Sequence, residues 1–135
     1  MTDPQRHIRQ WLHNRGFIAT IEPRFHDWIV TATFYAALHA VDTLLAHDQN
    51  SRVVDHASRN DVLARTNRYQ QIHRHYKPLY MLAQSVRYLA APEKWIPFEK
   101  VESHVLHRYL YPIEASVQKL INQQLDLPPI KLRTA

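Results

Sequence analysis

At 135 residues the chain is one domain with room for a real hydrophobic core. It has no cysteine, which excludes disulfides and thiolate chemistry and fits a reducing cytoplasm, and its single glycine, Gly16, excludes the glycine-rich loops that cradle nucleotide phosphates. A formal charge of +5, with twelve arginines, five lysines and ten histidines, permits a polyanionic partner without demanding one.

Asp3-Pro4 reads as an N-cap followed by proline at the first helical position. A first helix carrying Ile8, Trp11, Leu12, Phe17, Ile18 and Ile21 is expected to end before Pro23, with Gly16 as a possible bend. The second helix is expected from about Arg24 to His47. Val30, Phe34, Ala37, Val41 and Leu44 form one apolar stripe, and Trp28, Tyr35, Leu38 and Leu45 a second beside it. Ala36, Ala37 and Ala40 let another helix come close. So wide an apolar arc belongs to a central helix, on which His39 and Asp42 read either as a satisfied polar pair or as a catalytic or metal-binding one.

Asp48-Gln49-Asn50-Ser51 is turn-like. The weakly apolar segment from Ser51 to Tyr69 is expected to be helical in its second half and exposed overall, with Asn60-Asp61 as one possible helix start. A fourth helix runs from Gln70 to Ala90, turning Ile72, Tyr76, Leu79, Tyr80, Ala83 and Val86 inward, with Leu89 or Ala90 beyond. Pro78 marks a kink or a restart in it. After a loop from Pro92 to Pro97 holding Trp95, a last helix from Phe98 to Leu125 steps through Leu106, Leu110, Ile113, Val117 and Leu120, bent at Pro112. These elements give an all-α, antiparallel four- to five-helix up-and-down bundle over residues 1–127 and an extended basic tail over 128–135. No apolar run reaches the roughly 18 residues of a membrane span, and Met1-Thr2-Asp3-Pro4 has no signal-peptide core. No membrane contact and a cytoplasmic location are therefore expected.

Phe34-Tyr35-Ala36-Ala37-Leu38-His39-Ala40-Val41, with Leu44-Leu45 beyond, resembles the second helix of the HEPN superfamily (higher eukaryotes and prokaryotes nucleotide-binding domains). Tyr76-Lys77-Pro78-Leu79-Tyr80 and Ser85-Val86-Arg87-Tyr88 stand where small prokaryotic members carry a Tyr-x2-Leu element and an arginine followed by an aromatic residue. The similarity covers about residues 30 to 120. It implies a commonly dimeric bundle. It also implies either a metal-independent ribonuclease, such as a toxin or defence effector, or a non-catalytic binder of RNA or nucleotides, or a partner of a small nucleotidyltransferase or antitoxin.

The superfamily's nuclease signature is an arginine, four to six residues, then a histidine. In that chemistry the imidazole takes the 2′-OH proton and the guanidinium holds the phosphate as charge builds. Arg68 and His73 match it, with Tyr69 after the arginine where the family has Asn, Asp or His. His56-x2-Arg59-Asn60 competes. Its order is reversed, but His56 and Arg59 share a helical face; the alternative is that Arg59 clamps the third segment to the bundle with His56 at its rim. Arg87, with Tyr80 and Tyr88, suits a stacked base and a phosphate, or an ordinary bundle edge.

His104-x2-His107 places two imidazoles on adjacent turns near Glu99 and Glu102, His73-x-His75 does not, and the Glu-x2-His of di-iron bundles is absent. No metal site and no cofactor are read from the sequence. The expectation is a HEPN-like module, homodimeric, that binds RNA, a nucleotide or a partner protein. The alternative is a metal-independent endoribonuclease using an Arg/His pair.

Overall fold

A computed structural model describes residues 3–88 and 102–133. Its order is α1 (Pro4–Ile18), α2 (His26–His47), α3 (His56–Arg65), a single 3-10 turn (Asn67–Tyr69), α4 (Gln70–Tyr88), a π-helical segment (Glu102–Leu110) and α5 (Tyr111–Ile121). No strand occurs among the described residues. The protein is an all-α bundle built around α2, which packs against α1, α4, α5 and the π segment. Phe34, Val41, Leu44, Leu79, Val86, Leu110 and Val117 all lie in one buried cluster, as their three-and-four spacing requires.

Local chemistry sets the helix ends. The Asp3 carboxylate accepts the Gln5 amide at 3.1 Å, and Pro4, which lacks an N–H, takes the first helical position. Asp55 begins α3 with a capping box: its carboxylate accepts Ser58 N–H at 2.8 Å, and Ser58 Oγ accepts Asp55 N–H at 3.0 Å. That stronger signal moves the start of α3 upstream of Asn60-Asp61. Gln49 and Asn122 take left-handed φ angles of 56° and 55° just past α2 and α5, which lets following amides reach back to orphan carbonyls.

Several expectations are corrected. α1 ends at Ile18, so buried Ile21 lies in the connection to α2, and Gly16 is exposed within the helix with nothing packed on it. Leu12, Phe17 and Trp28 face solvent, at 41%, 47% and 57% exposure. Periodicity fixes which residues share a face but not how far along the helix that face is covered. The third segment is not exposed throughout, because Arg59, Val62, Leu63 and Tyr69 are buried. The closing helix is π-helical through Leu110 before turning α-helical, and Pro112 sits in the first turn of α5. Proline has no N–H for the carbonyl of residue 108, so the wider turn falls where an α-helical bond is missing.

α2 does have the length and mean hydropathy, 1.4, of a membrane span, but its apolar window is 78% buried by the bundle, as for a core helix. Past α5, Ile130 is buried and its amide donates to the Tyr111 hydroxyl at 2.8 Å, drawing the tail back onto the bundle. The expectations at Leu89, Ala90, the Pro92–Pro97 loop with Trp95, Phe98 and Glu99, and the side chains of Tyr88 and Glu102, lie outside the described residues.

Candidate functional site

α2, α3 and α4 meet at an edge centred on buried Phe34. Around its ring stand Tyr35 at 5.3 Å, Tyr76 at 5.7 Å, Tyr80 at 5.8 Å and His56 at 6.0 Å between centroids. His56 and Tyr80 are 5.9 Å apart. Phe34 and Tyr76 belong to the core, while Tyr35, His56 and Tyr80 are half-buried. Arg87 closes this edge. Its guanidinium donates to the Tyr35 hydroxyl at 3.0 Å and to Gln84 Oε1 at 3.1 Å, and lies 6.0 Å from the Phe34 ring centroid. Gln84 in turn donates to the Tyr80 hydroxyl at 2.7 Å, so the arginine and both outer tyrosines are held in one network.

Below the rings lies a buried ion pair. Arg59, 9% exposed, forks onto Asp42, with Nε to Oδ1 at 2.8 Å and Nη2 to Oδ2 at 3.0 Å. Burial disfavours the guanidinium charge, but the Asp42 carboxylate outweighs it and holds the Arg59 pKa above its ordinary value. Nη1 lies 3.3 Å from His56 Nδ1. An arginine can only donate, so His56 Nδ1 accepts and the ring proton sits on Nε2. Burial lowers the His56 pKa, and the charges of Arg59 and Arg87 lower it further, so the ring is neutral at pH 7. Tyr76 is raised by burial; its hydroxyl has no hydrogen bond of good geometry among the described residues.

Asp42 has another set of neighbours. His7 on α1 and His39 on α2 face each other Nδ1 to Nδ1 at 3.4 Å, and donor atoms of His7, His39 and Asp42 all lie within 4.8 Å of one another. Burial lowers the pKa of both histidines, opposed by the Asp42 charge.

Of the residues singled out in the sequence, His56 and Arg59 come together, at the aromatic edge with Tyr80 and Arg87. Arg68 and His73 are not brought together. Arg68 donates to both Asp48 oxygens, at 2.8 and 3.0 Å, and to the Leu120 carbonyl at 3.0 Å, tying the 3-10 turn to the ends of α2 and α5. Tyr69 also donates to Asp48. Burial works against the Asp48 charge, but the Arg68, Tyr69 and His47 hydrogen bonds hold its pKa below the usual carboxylate range. His73 instead lines a groove of about 360 Å³ between α3 and α4 with Asn60, Lys77, Tyr76, Tyr80 and Met81. Burial and Lys77 lower its pKa. His104 and His107 each stand edge-on to a tyrosine, Tyr109 and Tyr111.

Sequence reasoning missed His7, which lies 32 residues from His39, a separation no local spacing bridges. It also missed the buried Arg15–Glu114 pair. Arg15 Nε reaches Glu114 Oε2 at 2.6 Å, Trp11 Nε1 donates to the same oxygen at 2.7 Å, and Arg15 Nη1 holds the Pro128 carbonyl at 2.9 Å. A charged residue inside the apolar stripe of α5 was the available signal. No family model, curated protein or solved structure matches the chain.

Proposed function

We propose that this chain is a cytoplasmic, HEPN-like helical-bundle module that binds single-stranded RNA along the edge where α2, α3 and α4 meet. One observation carries the reading: half-buried Tyr35, His56 and Tyr80 stand beside Arg87, and Tyr80 continues into the α3–α4 groove bordered by Lys77 and Asp61. Exposed aromatic faces stack bases of any sequence, and a guanidinium or ammonium beside them takes the phosphate. The basic balance of the chain raises the encounter rate with such a strand.

The neutral imidazole of His56, next to arginines, favours a second reading as a metal-independent endoribonuclease. The geometry supports binding over cleavage. A general base needs a free lone pair, yet that of His56 Nδ1 is turned onto Arg59 and Nε2 presents a proton. A phosphate clamp is weakened where the guanidinium is already forked onto a buried carboxylate, as Arg59 is onto Asp42. Cleavage would require the Arg59–Asp42 pair to open first.

Fluorescence anisotropy with a labelled single-stranded RNA tests the binding. Tyr80→Ala should weaken affinity by about tenfold, within the 1–3 kcal/mol usual for one stacked base. Arg87→Ala should also lower the salt slope by about one. Lys119→Ala, on α5, serves as the control. RNA affinity indifferent to Tyr80 and Arg87 refutes this edge. Nucleotide or protein binding without RNA binding refutes the ligand class. Release of 2′,3′-cyclic phosphate ends in EDTA, lost in His56→Ala, would establish the nuclease reading instead.

A further inference from the structure

We propose that His7, His39 and Asp42 form a binding site for a zinc-class divalent ion that clips α1 to α2 and leaves a coordination position open to water. The spacing of the two imidazoles suits a shared ion. The Nδ1 atoms are 3.4 Å apart, a weak contact by the roughly 2.7–3.2 Å standard of N–H donors to oxygen. Two nitrogens bound tetrahedrally to one zinc at about 2.0–2.1 Å are about 3.3–3.4 Å apart. That spacing leaves at most a weak hydrogen bond between the rings and matches two ligands of one ion.

The donor chemistry agrees. Two imidazoles and one carboxylate with a free position suit zinc, cobalt or nickel, whereas magnesium and calcium prefer all-oxygen sets. Ligating imidazoles must be neutral, and burial holds both histidines in that form at pH 7. Asp42 is oriented from behind by the Arg59 fork, the kind of outer-shell hydrogen bonding that fixes a metal-binding carboxylate. Arg59 uses one lone pair on each oxygen, and a carboxylate offers about four. A side-chain adjustment then closes the remaining gap within the 4.8 Å cluster. The charged groups facing His7 are Asp3 and Arg6 at the start of α1, Asp42 on α2 and Arg59 on α3. Asp3 and Asp42 thus stand opposite Arg6 and Arg59 around His7.

Calorimetric titration of the metal-free full chain with zinc tests the site, with cobalt as a coloured probe of coordination. One equivalent should bind with a dissociation constant in the micromolar range or below. Thermal stability should rise with zinc concentration, and cobalt should give visible bands typical of four or five ligands. His7→Gln and His39→Gln should each weaken zinc by more than about tenfold. The double variant His104→Gln/His107→Gln should leave it unchanged. Affinity should fall on acidification, by up to about a hundredfold per pH unit once both imidazoles are protonated. Should His39→Gln fail to fold, the half-exposed His7 decides the matter alone. Absence of saturable one-to-one binding below about 100 µM, or unchanged affinity in His7→Gln, overturns the proposal. None of these readouts involves RNA, so the result stands apart from that of the binding edge.

Discussion

Replacing Arg59 by alanine is the most informative perturbation. Arg59 and Asp42 are only 10% and 13% exposed at their side chains, and they share two charge-assisted hydrogen bonds. Removing one partner of such a buried pair typically costs about 3–5 kcal/mol, because the other charge stays desolvated and unpaired. Asp42 retains some solvent and lies beside His7 and His39, so the lower end applies, about 3 kcal/mol. For a chain of this size that lowers Tm by roughly 10 °C. Arg65→Ala gives an internal scale. Its pair with Asp61 is 79% and 58% exposed and spans one turn of α3, so its loss should stay under about 0.5 kcal/mol. Urea denaturation of both variants, with Arg59→Met/Asp42→Leu completing the comparison, measures the difference. The apolar double variant should recover much of the stability that Arg59→Ala loses. An Arg59→Ala chain within 1 kcal/mol of wild type, or a double variant worse than the single, refutes the clamp.

Glu114→Ala should destabilise by about 3 kcal/mol and raise hydrogen exchange at the Ile130 amide, since Arg15 then loses the carboxylate that aims it at Pro128; unchanged exchange there refutes the link. Stability should fall as pH drops below about 6.5, because His7, His39 and His56 are lowered in the folded chain and the unfolded chain takes up more protons in that window. A melting profile flat from pH 7 to 5, measured without metal, contradicts this. Asp48 adds a second acid limb: its depressed pKa contributes stability above the unfolded value that is lost on acidification through the folded one, and Asp48→Asn should remove that limb. Light scattering at micromolar concentration should return about twice the 16.0 kDa chain mass, and a monomer mass removes the homodimer expected from the HEPN resemblance.

Helical periodicity made the architecture legible, because burying a stripe every three or four residues is a local requirement that the sequence displays directly. Phe34, Val41 and Leu44 on α2 and Ile113 and Val117 on α5 needed nothing else. Arg59 was legible as a clamp, and Asp42 as a polar residue needing explanation, but their pairing was not. It depends on where α3, packed against α4, brings Arg59 to Asp42 of α2, which no local spacing displays. The π-helical segment was illegible for a related reason. Its i to i+5 bonding leaves no distinct residue pattern, and Pro112 signals only that an α-helical bond is missing.

Asp42 is where the two halves of the site meet. One of its neighbours is a permanent cation, Arg59, and the others are two neutral bases, His7 and His39. A carboxylate shared between a guanidinium and a metal donates less charge to each than it would to either alone. An ion at the proposed site would draw on the same carboxylate that engages two nitrogens of Arg59, while the third, Nη1, faces His56. Coupling of this kind is reciprocal: whatever factor the ion applies to a ligand on the aromatic edge, that ligand applies to the ion. A mutation at Asp42 cannot separate the two, since it removes the shared group. His7 belongs to the proposed ion site and Tyr80 to the aromatic edge, so substitutions at those two positions are the ones that resolve the halves.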